Sequence, residues 1–357
     1  MSTGFSDADR EFFERELDSF LPDRIYDAHA HIWEKEWANF TLGSEPVADL
    51  AAYRRAIAEI HGDRRTETLF LSFAVAEARD QISAANAWTA AQIADHPACR
   101  AHFFVTPQDD PEWVRDEVKR LGMHGLKCYH TFADVDPTWD ASIPDYLPEP
   151  LVAVAGDEAW TITLHMVKAR AVADPDNQHW IRHYCETYPK MQLILAHSAR
   201  GFQPGHNMEG LESLVGLDNL WFDTAANCEP IAHQSIIRLF GHDRLMYGSD
   251  LPVSHLRGRS LGAGDNFLWL YEETPVWGEK HVKVQPVMVG LEHLRSVKWA
   301  CWSEKLTDSQ IEDVFWNNAA RLFNVTCNRQ PHLVGIERRH KEDHRQISNR
   351  CDQGGAE

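Results

Sequence analysis

A (β/α)8 barrel, in the α/β class, is predicted by three observations: eight short runs rich in Val, Ile, Leu and Phe recur along the chain, stretches of helical period separate them, and no glycine-rich fingerprint follows the first run. The runs fall at 25–31, 67–76, 100–105, 125–130, 161–166, 192–197, 220–226 and 244–250. Several are apolar on both faces, as in LFLSFAV and LILAH, which suits strands with helices outside and a packed barrel interior inside. An open doubly wound sheet would use the same alternation, and the count of eight without the fingerprint favours the closed barrel.

Residues 1–24 read as an N-terminal helical cover, because DREFFERELDSF at 9–20 is amphipathic, with Phe12, Phe13, Leu17 and Phe20 available to pack on the barrel. The barrel itself is assigned to 25–328. Within it, DLAAYRRAIAEI at 49–60 puts Leu50, Tyr53, Ile57 and Ile60 on one stripe, and 111–121 opens with a proline suited to a first helical turn. The segment 253–303 is longer than one barrel helix requires and carries Trp269, Trp277, Trp299 and Trp302. It suits a lid, or a contact between the subunits of a homodimer, as well as it suits tryptophans buried beneath a loop. The end of the chain, 329–357, mixes charges and glycines with few apolar residues and is expected to be a flexible polar tail or to drape over a neighbour.

The 357 residues carry 54 acidic against 35 basic side chains, a formal charge of −19. Phosphate backbones and anionic lipid need clustered Lys and Arg, so neither nucleic acid nor a membrane surface is expected as a partner. The opening 20 residues are too charged for the apolar core of a signal peptide, and no run of ~18 apolar residues occurs, which points to the cytoplasm. The seven cysteines are scattered without CxxC spacing and read as buried thiols.

What separates this chain from a generic barrel is where its polar residues fall. Active sites of such barrels sit at the C-terminal strand ends. The first run ends in DAHAH, where alternation puts His29 and His31 on one face. The fifth ends at His165, the sixth at His197 and the eighth at Asp250. A lone histidine at a strand end is more often a hydrogen-bonded core or rim residue, and Asp250 before Leu-Pro also suits a helix N-cap. Taken together the five groups point to a ligand set, since burying them unpaired costs roughly a few kcal/mol each, and one divalent cation, zinc or else manganese, satisfies them all.

The run YDAHAHIW, the strand ends TLHM and LAHSARGF, the phrase MYGSDLP and the closing NNAARLF resemble the amidohydrolase superfamily, in its amidohydrolase-related (amidohydrolase 2) branch, over about residues 9–325. The resemblance implies a distorted barrel with a metal at its mouth, in a family of hydrolases with a minority of decarboxylases and hydratases. It implies His29, His31, His165 and Asp250 as ligands. It casts His197 as a residue that polarises substrate or moves protons around one ion, or as a ligand of a second. Lys127 stands where members with two ions place a bridging carboxylated lysine; a free lysine would repel a second cation, and one ion is expected rather than two. Such an ion lowers the pKa of bound water toward ~7, with Asp250 as proton acceptor and donor and His197 polarising the carbonyl.

Asp27 shares the parity of the histidine pair and either orients an imidazole or plugs the barrel floor. Arg200 could take a substrate carboxylate or a surface ion pair, and Tyr129, His130 and Asn227 either line the pocket or are ordinary rim residues. The leading reading is a metal-dependent hydrolase opening an amide, lactone or ester of a small carboxylated metabolite. The alternative is a lyase resembling aminocarboxymuconate semialdehyde decarboxylase, which uses the same groups. A non-catalytic barrel should have lost one of the five groups, and none is missing.

Overall fold

The computed structural model describes residues 4–38, 41–42, 45–282 and 284–325; the polar tail expected at 329–357 lies outside them. Eight parallel strands follow one another in chain order: Arg24–Ala30 (β1), Arg65–Leu71 (β2), Arg100–Phe104 (β3), Gly125–Cys128 (β4), Thr161–Leu164 (β5), Gln192–Leu195 (β6), Leu220–Asp223 (β7) and Leu245–Met246 (β8). Backbone hydrogen bonds join β8 and its trailing loop to β1: Ala28 N–H donates to Tyr247 O (2.9 Å), Asp250 N–H to His29 O (2.7 Å) and His31 N–H to Leu251 O (3.0 Å). The ring is the (β/α)8 barrel that the alternation predicts. Every predicted run overlaps its strand and overruns it at the C-terminal end; the first two start one and two residues inside their strands.

The flanking helices form where their signals stand. Asp49 caps Leu50–His61 by accepting from Ala52 N–H (2.7 Å), and Asp110 caps Pro111–Leu121, which Gly122 ends at φ 64°. Tyr53, Ile57 and Ile60 are buried on the predicted stripe, and the Tyr53 ring meets Phe70 of β2 edge-on at 4.9 Å. Each such side chain contributes about 1.5–3 kcal/mol by leaving water.

The core divides by strand parity. Tyr26, Ala28, Leu69, Leu71, Ile194 and Met246 form an inner cluster, closed from below by Trp316 and Phe323. Ile25, Phe70, Leu193, Leu195 and Leu245 belong to the outer cluster shared with the helices. On β1 this parity breaks. Asp27 pairs with Thr68 but Ala30 with Phe70, so β1 has one extra residue between them. Without that bulge His29 and His31 would share the outward parity of Ile25 and Asp27; with it they follow Tyr26 and Ala28 into the mouth.

The N-terminal segment begins as the helix Asp7–Phe12, capped reciprocally by Ser6 and Asp9, and widens over Phe13–Leu17. Asp9 is buried in an ion pair with Arg257 and also accepts Met288 N–H (3.0 Å). The long segment 253–303 resolves into two parts: an antiparallel hairpin, Gly258–Ala263 (β9) and Asn266–Tyr271 (β10), and the helix Val289–Ser303 that completes the outer ring beside Pro230–Phe240. Its tryptophans part accordingly. Trp269 lies on the hairpin, while Trp299 and Trp302 are 43% and 57% exposed on the helix, under the side chains of Arg295 and Lys298. Among the described residues no helix is long and apolar enough to cross a membrane, and Cys99, Cys128, Cys185, Cys228 and Cys301 are buried free thiols.

Candidate active site

The site is built on the seam between β1 and β8. Gly248 packs there against His29; a Cβ on it would stand 2.7 Å from His29 Cβ, so only glycine lets the two segments approach. Two residues on, Asp250 takes the left-handed conformation (φ 57°), which turns its carboxylate back over the seam. Asp27 holds this turn. Its carboxylate accepts Ser249 N–H (2.7 Å), Ser249 Oγ–H (2.5 Å), Tyr53 O–H (2.7 Å) and His29 N–H (3.2 Å). The sequence parity put Asp27 on the face of the imidazoles; the bulge turns it outward to Tyr53, where it clamps the backbone that carries Asp250.

Asp250 Oδ1 lies 3.4 Å from His29 Nε2 and 3.7 Å from His31 Nε2, and donor atoms of these three residues all fall within 4.8 Å of one another. The tautomers follow from the partners. His29 Nδ1 is 2.8 Å from the Asp223 carboxylate and His31 Nδ1 is 2.9 Å from Leu71 O; both are acceptors only, so Nδ1 donates and each Nε2 lone pair faces Asp250. Two lone pairs and an anionic oxygen facing one another repel unless a cation lies between them, which is the chemistry of a metal cradle.

His197 comes to the same place by another route. β6 ends at Leu195, and residues 197–200 all have positive φ (58°, 52°, 57° and 55°), one left-handed turn of non-glycine residues costing about 1–3 kcal/mol each. Polar side chains hold it: Asp223 accepts His197 N–H (2.9 Å), Asn227 donates to His197 O (3.0 Å) and Asn207 to Ser198 O (2.9 Å). His197 Nδ1 donates to Ala225 O (2.9 Å), and its ring lies 5.0 Å from those of both His29 and His165. Arg200, three residues on, rises from the same turn.

His165 is not within the compact group of three donors. It is reached through His197, with Tyr129 (4.8 Å) and His130 (5.9 Å) beside its ring, and its Nδ1 is buried without a partner. His130 Nδ1 meets Thr138 Oγ1 (2.9 Å), and its Nε2 is likewise buried and unpartnered. Lys127 is buried at the end of β4 with its Nζ 6.0 Å from the Tyr129 ring and no hydrogen-bond or ion-pair partner among the described residues. Arg200 donates to Lys168 O (2.7 Å), and its guanidinium lies 5.2 Å from the centroid of the Trp139 ring and 5.6 Å from that of Phe267. Asn227 is the exception to a pocket-lining role. It is fully buried, with its amide spent on His197 O and Glu229 N–H, because it braces the left-handed turn.

Asp223, which supports both His29 and His197, escaped the sequence reading. The signal was available: LWFD ends β7, and alternation puts Asp223 with Trp221 on the face opposite Leu220 and Phe222.

Electrostatics follow from burial. Burial pushes Asp250 up, but the charged forms of the His197, His31 and His29 imidazoles outweigh it and hold the carboxyl well below the usual range. Burial lowers His29 despite Asp223 beside it, and also lowers His197 and His165, so these imidazoles stay neutral. It lowers the Lys127 amine too. A surface hollow of about 530 Å³ at the opposite barrel end, lined by Phe13, Asp18, Asp23, Gly62, Asp63 and Arg64, has no such groups.

A barrel with imidazoles and a carboxylate converging at its C-terminal mouth defines a class of enzymes. A family model described as amidohydrolase matches residues 26–325, and the chain belongs to this family. Solved structures share the fold. One is a putative 2-pyrone-4,6-dicarboxylic acid hydrolase from Pseudomonas putida, at 16% identity and TM-score 0.53, covering 85% of this chain and 99% of that one. Another is an amidohydrolase from Burkholderia multivorans with bound zinc, at 15% and 0.54, covering 85% and 99%. A third is a 5-carboxyvanillate decarboxylase from Novosphingobium aromaticivorans with bound manganese, at 14% and 0.51, covering 84% and 97%. No curated protein matches the chain.

Proposed function

We propose that the protein is a metal-dependent hydrolase that opens an amide, lactone or ester of a small carboxylated metabolite. The observation that carries this reading is the convergence of two Nε2 lone pairs, each fixed by a partner on Nδ1, on one carboxylate oxygen. His29, His31 and Asp250 would hold one divalent ion, with His165 completing the set; zinc is the first expectation and manganese the second. When bound, the ion supplies Lewis acidity toward water and a substrate oxygen.

The chain's own residues do the rest. Asp250, held ionised, accepts a proton from the attacking water and returns it to the leaving group. His197, whose Nδ1–H is held by Ala225 O, has an Nε2 lone pair free to take up a proton, and once protonated there it would polarise the substrate carbonyl and stabilise the charge that develops on it. Arg200, within cation–π distance of Trp139 and Phe267, receives the carboxylate. Lys127, buried and unpartnered, stays a neutral or singly charged amine beside one ion.

The same groups serve a decarboxylase, in which His197 would protonate the carbon that loses carbon dioxide, so the two readings separate by product. Incubation with lactones and carboxylated aromatics is expected to release acid without carbon dioxide; carbon dioxide without ring opening would move the assignment to the lyase. Metal analysis of the purified protein and of His29→Ala tests the site itself. About one ion per chain is expected in the first and almost none in the second, and equal content in both would remove the site.

A further inference from the structure

The left-handed turn at 197–200 is gripped from behind by a buried chain of side chains that takes no part in the chemistry proposed above. Ser198 and His233 are both fully buried, and Ser198 Oγ lies 2.7 Å from His233 Nδ1. On its other nitrogen His233 meets Asn227 O (3.0 Å) and Ser296 Oγ (2.9 Å). Asn227 O can only accept, so Nε2 carries the proton and the Nδ1 lone pair accepts Ser198 Oγ–H. Burial pulls the pKa of this imidazole down to about 4, which keeps it neutral in that tautomer.

His233 reaches the turn twice. It holds Ser198 directly, and it holds the main chain of Asn227, whose side chain donates to His197 O (3.0 Å). The far end of the turn has no slack: a Cβ on Gly201 would stand 2.7 Å from the Cβ of Ala232, the neighbour of His233 on the helix Pro230–Phe240. The β9–β10 hairpin, which roofs this side of the mouth, is tied to the same loop after β7, since Cys228 N–H donates to Ser260 Oγ (3.1 Å) and Gly262 N–H to Glu229 (3.0 Å). Its Phe267 stacks on Phe202 (4.8 Å), and Phe202 covers the His197 ring at 5.5 Å.

We infer that His233 is a positioning residue for His197: through Ser198 and Asn227 it holds the turn in the one backbone conformation that keeps His197 Nδ1–H on Ala225 O and leaves the Nε2 lone pair free. The inference rests on the reading of His197 as the proton-carrying group of the site. Four consecutive non-glycine residues with positive φ relax toward the right-handed region unless their surroundings forbid it. Without His233 the buried Ser198 hydroxyl would have no acceptor, so the strain of the turn and the unmet hydrogen bond would favour relaxation together. Ala225 belongs to the loop after β7 and does not follow the turn, so a relaxed turn carries the His197 ring away from its carbonyl.

The test follows the His197 Nδ1–H proton by NMR of the full chain labelled with nitrogen-15 in its histidines, the signal being assigned by its absence in His197→Gln. In the wild type this proton is expected to exchange slowly with water. Ser198→Ala removes one hydroxyl and His233→Phe keeps the ring volume without its nitrogens; each is expected to speed the exchange about 10-fold, the effect of one buried hydrogen bond. The double variant should exchange no faster than His233→Phe alone, because both changes act through one contact. Ile236→Val loosens the packing of the same helix without touching a hydrogen bond, and it should leave the exchange within about 2-fold of the wild type. Absence of a slowly exchanging His197 Nδ1–H in the wild type, unaltered exchange in Ser198→Ala and His233→Phe, additive effects in the double variant, or an equal effect from Ile236→Val would overturn the inference. Zinc content separates this failure from that of the site: a chain that holds zinc but whose exchange ignores His233 keeps its metal centre and loses only this positioning role, whereas a chain without zinc loses the metal site and leaves the exchange result standing.

Discussion

The two sides of the barrel mouth hold their histidines differently. On the β1–β8 seam each imidazole has a partner on Nδ1, and four donors on Asp27 clamp the backbone that carries Asp250. On the β4–β5 side His165 and His130 bury nitrogens without partners, and Lys127 has none. One side is organised by the protein before anything binds. The other has polar capacity to spare, and its groups are the ones a ligand can still satisfy.

The largest expected effect comes from taking away the seam's support. Asp223→Asn keeps the shape but weakens the bonds to His29 Nδ1 and His197 N–H; zinc affinity should fall about 10- to 100-fold by competition against a chelator. An unchanged affinity would mean that the seam is not preorganised by this carboxylate. His165→Ala sharpens the contrast from the other side. Three clustered donors remain, so zinc should stay bound with a loss of about 10-fold, well short of the near-complete loss in His29→Ala. Equal losses in the two variants would erase the difference between the sides.

A separate effect, away from the ligands, is on stability and pH. His61, behind the seam, bonds Tyr247 O–H (2.9 Å) and Thr66 Oγ1 (3.0 Å), and burial pulls its pKa down to about 3. The unfolded chain takes up this proton near 6.5 and the folded chain does not, so the contribution is complete above 6.5 and drains away as pH falls below it. From pH 6.5 to 5 the wild type should lose about 2 kcal/mol through this group. His61→Gln should lack that slope in urea unfolding, and a variant that loses stability as steeply as the wild type on acidification would refute the assignment.

Much of this was legible in the chain. The eight runs, the Asp49 and Asp110 caps and the strand-end histidines are local signals, because alternation, capping and turn chemistry act over a few residues. Two features of the site were not. Alternation read from DAHAH correctly paired His29 with His31 but put Asp27 with them, since a bulge is a property of the β1–β2 register. His197 was read as the end of a strand, but the strand stops at Leu195 and a left-handed turn turns the ring, held by Asp223, Asn227 and Asn207 from other elements. Asn227, read as either a pocket-lining or a rim residue, is spent on that brace.

The amino-acid sequence alone determined the barrel, its family and the residue types available at the strand ends, because these depend on periodicity and on motifs a few residues long. Tertiary structure decided which way those residues face, which tautomer each imidazole adopts and what roofs the mouth. Each of these depends on backbone register and on hydrogen-bond partners that folding brings from nearly 200 positions away, as it brings Asp223 to His29.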